Sequence, residues 1–151
     1  MTIQMHNLGF LRMAVEDALV AHLETLVTSA KVRAAFTTTE IEHPLVTVHA
    51  KNTRERNEQD YNLARYVDVE IRCITYAEET TLLSSRQAHF RLVADVYHAL
   101  SNADIVAALN DLGAARVTFW SCYAKTDDGG VVGGTLLSTI SVEIGATPKE
   151  D

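Results

Sequence analysis

The chain has 151 residues, 47% of them hydrophobic and 22% charged, with 13 Lys and Arg against 20 Asp and Glu and a formal charge of −7. That length suits one domain, and the composition excludes disorder of the whole chain. The acidic balance argues against a surface that grips nucleic acid or an anionic membrane, since phosphate binding needs clustered positive charge.

No apolar run approaches the roughly 20 residues of a membrane span. The first residues, Met1-Thr2-Ile3-Gln4-Met5-His6, lack a basic region followed by an apolar stretch, so no secretory signal is expected. Two cysteines are too few for a disulfide scaffold and fit a reducing cytoplasm.

The pattern predicts a first helix from about Asn7, a candidate N-cap, to Val27. Leu8, Leu11, Val15, Leu19, Leu23 and Leu26 recur at spacings of three or four and form one stripe. A strand follows Pro44, with Val46, Val48 and Ala50 on one side. Tyr66 to Tyr76 alternates strictly: Val67, Val69, Ile71 and Cys73 share one face, and Asp68, Glu70 and Arg72 share the other. That is a sheet with one covered and one wet face.

Ser84-Ser85-Arg86-Gln87 reads as a capping box opening a helix to about Leu100, with Ala88, Leu92, Val93, Val96 and Leu100 inward. Ser101-Asn102-Ala103-Asp104 starts another, carried by Ile105, Ala108, Leu109 and Leu112 and ended by Gly113. Arg116 to Lys125 and Thr135 to Ile144 read as the two arms of an antiparallel hairpin, with Thr126 to Gly134 as a flexible tip. The whole is an α+β domain over residues 1–145, with about four strands in a mixed or antiparallel sheet and three helices mainly on one face. Residues 146–151 are expected to be a flexible tail.

The expected core is Leu11, Val15, Leu19, Leu26, Val69, Ile71, Leu92, Val96, Leu109, Val117, Phe119, Ile140 and Val142. Little else carries chemistry. His89 and His98 are nine apart on one helix and face opposite ways, and no histidine pair has the spacing of a helical zinc site. Cys73 and Cys122 read as small buried hydrophobes. Gly129-Gly130-Val131-Val132-Gly133-Gly134 lacks the lysine and the following helix of a phosphate loop, and Asp127-Asp128-Gly129 is turn chemistry. No catalytic, cofactor or metal residue is expected.

Lys51 to Arg65 reads as a long, charged connection between two strands. Its alternatives are a solvated loop and an arm that docks on a neighbour. In the second case Arg54, Glu55, Arg56, Glu58 and Asp60 are the candidate contacts, because mixed-sign charge suits specific protein contacts. Trp120, on a strand face with Thr118 and Cys122, is the other candidate contact between subunits, since aromatics are enriched at interface centres.

The layout from Leu8 to Ile144 resembles the tail terminator, or tail completion, proteins of long-tailed bacteriophages and related minor tail and neck proteins. The residues that carry this are Leu45-Val46-Thr47-Val48-His49-Ala50, Arg65 to Arg72, the two helices around Leu100 to Ile105, and the hairpin ending Ile140-Ser141-Val142-Glu143-Ile144. The resemblance implies a non-enzymatic subunit of the virion tail or neck, assembled in the host cytoplasm. It implies a homo-oligomeric ring, usually a hexamer, that caps the tail tube, stops its polymerisation and forms the surface joining the head. Its partners would be the tail tube protein and the head-side connector, with DNA passing through the lumen without specific binding. An acidic balance agrees with a conduit that repels the duplex. The alternatives are a head-side connector or stopper ring, a small non-catalytic ligand-binding α+β domain, and an enzyme whose site is assembled from distant residues.

Overall fold

The strict alternation of Tyr66 to Tyr76 places it at the centre of the sheet. In the computed structural model, which describes residues 10–36, 44–55, 64–76, 82–112, 117–132 and 135–148 (82–84 and 126–132 as backbone), this segment is the middle of five strands. In chain order the elements are α1 (Leu11–Leu26), β1 (Lys31–Ala34), β2 (Leu45–Glu55), β3 (Arg65–Tyr76), α2 (Leu82–Ser101), α3 (Ile105–Asp111), β4 (Val117–Val132) and β5 (Thr135–Pro148). The strand order is β1-β2-β3-β5-β4. β1 runs parallel to β2 and every other neighbour is antiparallel, so the sheet is mixed.

The fifth strand is β1, which adds to the four expected. It begins where the Lys31 amide donates to the Pro44 carbonyl (3.0 Å) and pairs Lys31–Ala34 with Leu45–Val48. β2 runs past Ala50 to Glu55, so Lys51–Glu55 are strand and not loop. Their charges fit there because β3 presents opposite charges, Arg65 directly across from Glu55 and Asp68 and Glu70 diagonally from Arg54 and Lys51. β4 and β5 also run further than expected. Thr126–Val132 pairs with Thr135–Ser141 despite its turn-like composition, since a ladder to β5 satisfies its backbone. Ala146–Pro148 is strand, paired with Arg65 and with Val117–Phe119, so the expected tail cannot begin at Ala146.

The three described helices cover one face. α1 packs chiefly on β1 and β2, α2 on β3, β4 and β5, and α3 on β4. The buried set is close to the expectation: Leu11, Val15 and Leu19 of α1, Val69 and Ile71 of β3, Leu92 and Val96 of α2, Leu109 of α3, Val117 and Phe119 of β4, and Ile140 and Val142 of β5. Three positions differ. Leu26 is the last residue of α1 and is exposed, and Val27 takes the buried place instead. Ala88 and Leu112 are exposed as well. α1 is described from Phe10 at its N-cap, and Asn7 lies outside the described residues, as does Gly113. α2 begins at Leu82, ahead of the expected cap at Ser84.

Side chains from the helices also close the sheet's edges. Past the end of β1, the Ala50 amide donates to Glu16 Oε2 (2.7 Å) and Arg12 Nη1 donates to the Lys51 carbonyl (2.9 Å). Both bonds fall at the irregularity between Ala50 and Asn52, where the β2–β3 register shifts. Partial burial pushes the Glu16 carboxyl above its ordinary value, against the Ala50 hydrogen bond. On the opposite edge Asn110 of α3 acts as a short piece of strand. Its Nδ2 donates to the Phe119 carbonyl and its Oδ1 accepts from the Phe119 amide, each at 2.9 Å.

One polar hub sits within the core. His89 of α2 joins Thr75 Oγ1 of β3 through Nδ1 (2.9 Å) and Ser138 Oγ of β5 through Nε2 (2.8 Å). Burial lowers the pKa of the ring, so a neutral imidazole with one donor and one acceptor serves the two hydroxyls. His22 joins α1 to α2 through Nε2 and the Ala99 carbonyl (3.1 Å).

Candidate functional site

The face of the sheet on which none of the described helices packs gathers the two clearest candidates of the sequence. Register decides this. Arg54 of β2 lies opposite Tyr66 of β3, Tyr66 lies opposite Gly145 of β5, and Gly145 lies opposite Ser121 of β4. Trp120 sits beside Ser121 where the β4–β5 register shifts. The shift also separates Trp120 from Cys122, which was expected on the same face: Cys122 packs against the core, and Trp120 turns onto the helix-free side.

Arg54 forms a fork on Asp68, with Nε to Oδ2 and Nη2 to Oδ1 both at 2.9 Å, and Nη2 also donates to Glu143 Oε2. Two parallel N–H···O bonds from a planar guanidinium fix geometry as well as charge. Lys125 stands 3.4 Å from Glu143 and 4.0 Å from Asp68. Lys51 pairs with Glu70 at 3.1 Å, and Arg72 pairs with the same carboxylate. Arg54 holds the Asp68 carboxyl below its ordinary value, and Asp68 and Glu143 raise that of Arg54.

Next to this network is an aromatic pair. Tyr66 and Trp120 meet edge to face with ring centroids 5.1 Å apart, and the Arg54 guanidinium lies 5.4 Å from the Tyr66 centroid. Trp120 Nε1 donates to Thr147 Oγ1 at 3.1 Å. Gly145 makes room for the indole, because a Cβ there would stand 2.7 Å from two of its ring carbons and 2.6 Å from Ser121 Oγ.

The other candidates are not brought into this cluster. Glu55 is exposed at the end of β2, 3.7 Å from Arg65. Arg56, Glu58 and Asp60 lie outside the described residues. Sequence reasoning missed Tyr66, Lys125, Glu143, Gly145 and Thr147 as members of the cluster. It read Asp68 only as part of a wet face. A longer β2 would have put Arg54 across from them.

The Arg54 guanidinium holds the Asp68 carboxyl below its ordinary value, and Lys125 stands beside Glu143. Burial pushes both thiols, Cys73 and Cys122, up to about 12, far from a reactive thiolate. Ser138, His89 and Thr75 form a chain in the order of a nucleophile, a base and an orienting group, but all three are buried beneath α2. Among the described residues no group of three His, Cys, Asp or Glu side chains could hold a metal ion, and no single helix is long and apolar enough to cross a membrane.

No family model matches the chain, and no curated protein matches it in sequence. Its fold is similar to that of a chain in the solved structure "Virion of native gene transfer agent (GTA) particle". The likeness has a TM-score of 0.57 at 14% identity, over 91% of this chain and 90% of that one. At that identity it is a likeness of fold.

Proposed function

We propose that the chain is a structural subunit of a phage-like virion, of the tail-terminator kind. It forms a ring, a hexamer by analogy with that family, at the head-proximal end of a tail tube. The ring ends tube polymerisation and offers the surface that joins the head. The observation that carries this reading is the fold shared, nearly end to end, with a chain of the gene transfer agent virion. The element order that resembles tail completion proteins supports it independently.

The role as proposed has no chemical step of its own. The helix-free face, with Arg54, Tyr66 and Trp120, is the surface we assign to contact with other particle subunits, among them the tube protein and the head-side connector. DNA passes through the lumen without sequence-specific contact. The test is the native mass of the purified protein, negative-stain images, and its addition to a growing tube. Closed rings that halt tube growth are the expected result. A monomer under every condition overturns the reading. A ring that leaves tube growth untouched but binds the head side moves the chain to the connector or stopper class.

A further inference from the structure

The two edges of the sheet are finished differently. At β1 the Lys31 and Ala35 amides bond inward, so Val32 turns its backbone outward, and Arg33 Nη1 sits on the Val32 carbonyl at 3.1 Å. Past the end of β1, Glu16 and Arg12 hold the edge of β2. At β4 only the first stretch is held, by Asn110 on Phe119. β4 then runs on to Val132, and among the described residues no strand lies beyond it.

Asn110 also fixes which backbone groups that edge offers. Residues of an antiparallel ladder alternate between bonding to one neighbour and to the other. Phe119 bonds outward to Asn110, so its partner Ala146 is turned away from β4, and by alternation Gly145 and Glu143 are turned toward it. Followed through the register and its two shifts, this turns the backbone of Cys122, Ala124, Asp127, Gly129 and Val131 outward. They span roughly 30 Å of strand. An edge of that length is a template for another strand.

α2 roofs the same edge. Its Phe90, Val93, Ala94, Tyr97 and Ser101 line an open groove, with Phe90 57% and Tyr97 39% exposed. His89 points at the sheet through Thr75 and Ser138, and Ala99 meets α1 through His22. At about 100° per residue, Phe90 and Tyr97 stand close to a quarter turn from His89, on the side away from Ala99. α1 packs chiefly on β1 and β2, and α2 on β3, β5 and β4, so the flank of α2 away from α1 lies toward the outer edge of β4. The level matches too, because Ser138, which His89 holds, pairs with Gly129.

We infer that this edge receives an extended segment of another particle protein as a further strand. Its alternate apolar side chains lie beneath Phe90 and Tyr97, and lysine or arginine at its middle stands beside Asp127 and Asp128. Backbone bonds give such a contact its affinity, and alternate side chains give it selectivity. Only the source of the segment rests on the virion reading above. A second copy fits the edge less well. Its β1 is four residues long and has Arg33 on its outer side. Its β4, centred on this stretch, would set Asp127 or Asp128 opposite itself, and like charges directly opposite destabilise a strand pair.

The probe is a short peptide alternating valine and threonine, with lysines at its centre. Its twin carries N-methyl groups on the amides of one edge and cannot complete the ladder. Fluorescence anisotropy reads binding, and hydrogen exchange followed by NMR reads the edge. The peptide should bind and the twin should not. The amides of Ala124, Asp127, Gly129 and Val131 should gain protection, while those of Ser121, Tyr123 and Asp128 stay as they are. Gly129→Pro removes an outward amide and leaves the bonds to β5. Phe90→Ser with Tyr97→Ser removes the roof at exposed positions. Each should weaken binding roughly tenfold or more, with the fold checked by circular dichroism. Asp127→Lys with Asp128→Lys should turn the preference toward a peptide with central glutamates. Should Gly129→Pro fail to fold, the roof variant and the exchange pattern decide. No binding to wild type, equal binding of the twin, or protection elsewhere overturns the inference. Outward amides already protected in the purified protein put a second copy on the edge and overturn the choice of partner. None of these outcomes touches the ring reading, which native mass tests separately.

Discussion

On β3 the same strand presents two unlike surfaces. Toward the helices, Val67, Val69, Ile71 and Cys73 are buried among α1, α2 and the core side of β5. Toward the other side, Tyr66, Asp68, Glu70 and Arg72 face away from the described helices, and among their partners are Arg54 and Lys51 of β2 and Lys125 and Trp120 of β4. The covered face is held by close packing, where each lost methylene is felt. The open face is held by charge pairs and one aromatic contact in reach of water, and such pairs contribute little to stability. A surface of that second kind can exchange its partners for those of another subunit at small cost to the fold.

The largest expected difference comes from truncation. Ile140→Ala on the covered face of β5, or Leu19→Ala on α1, should cost roughly 2–5 kcal/mol in urea unfolding. Thr139→Ala, one residue along on the open face, should stay within about 0.5 kcal/mol. Equal losses at 139 and 140 would abolish the distinction between the faces.

Gly145 tests the point where the open face does depend on packing. Gly145→Ala drives a methyl into the Trp120 ring and Ser121 Oγ, and should cost about 1–3 kcal/mol. Trp120→Ala alone should lose a smaller amount and reduce assembly while leaving the monomer folded. Combined, the two changes should cost less than their sum, because the clash disappears with the indole. Strict additivity would mean that the indole is not what confines position 145. Global unfolding of Trp120→Ala would place that side chain in the core.

Acid should act on the covered face. Burial holds the His89 pKa below its ordinary 6.5, so the unfolded chain binds a proton that the folded chain resists. Stability contributed by this group is complete above about 6.5 and falls as pH drops from there toward the folded value. Thermal unfolding of the wild type should show that slope, and His89→Gln should flatten it. An unchanged slope in the variant would assign the acid sensitivity to the carboxylates, which titrate lower.

Much of this was legible in the chain. The α1 stripe and the alternation of β3 and β5 name most of the core, because periodicity records a one-sided environment directly. β1 left no such record: in Lys31–Ala34 only Val32 is deeply buried, and the strand exists because β2 offers a parallel edge. Lys51–Glu55 reads as loop by composition, since nothing in that segment alone shows that Asp68 and Glu70 will stand across from it. Asp127-Asp128-Gly129-Gly130 favours a turn locally, and the ladder to β5 overrides it. Trp120 was grouped with Cys122 on one strand face, and that grouping fails because the register shift at Phe119/Ser121 breaks the alternation. The cluster of Arg54, Tyr66, Asp68 and Trp120 is a product of register between strands.

The smallest effect should come from the best-formed ion pair. Arg54 carries a fork on Asp68, a bond to Glu143 and a stack on Tyr66, yet its side chain is 46% exposed. At that exposure water and salt screen most of the attraction, and Arg54→Ala should cost only about 0–1 kcal/mol. The difference from wild type should shrink further in high salt. Lys125 remains beside both acids, so neither carboxylate is left without a cation. If the open face meets another particle subunit, the same change should weaken capture of purified tail tube protein by more than it weakens the fold, because a contact that excludes water restores the strength of the fork. Pull-down with wild type and Arg54→Ala at matched stability separates the two roles. A variant that loses several kcal/mol and binds unchanged would make Arg54 a structural residue, and the division of labour between the two faces would fail at its most highly charged point.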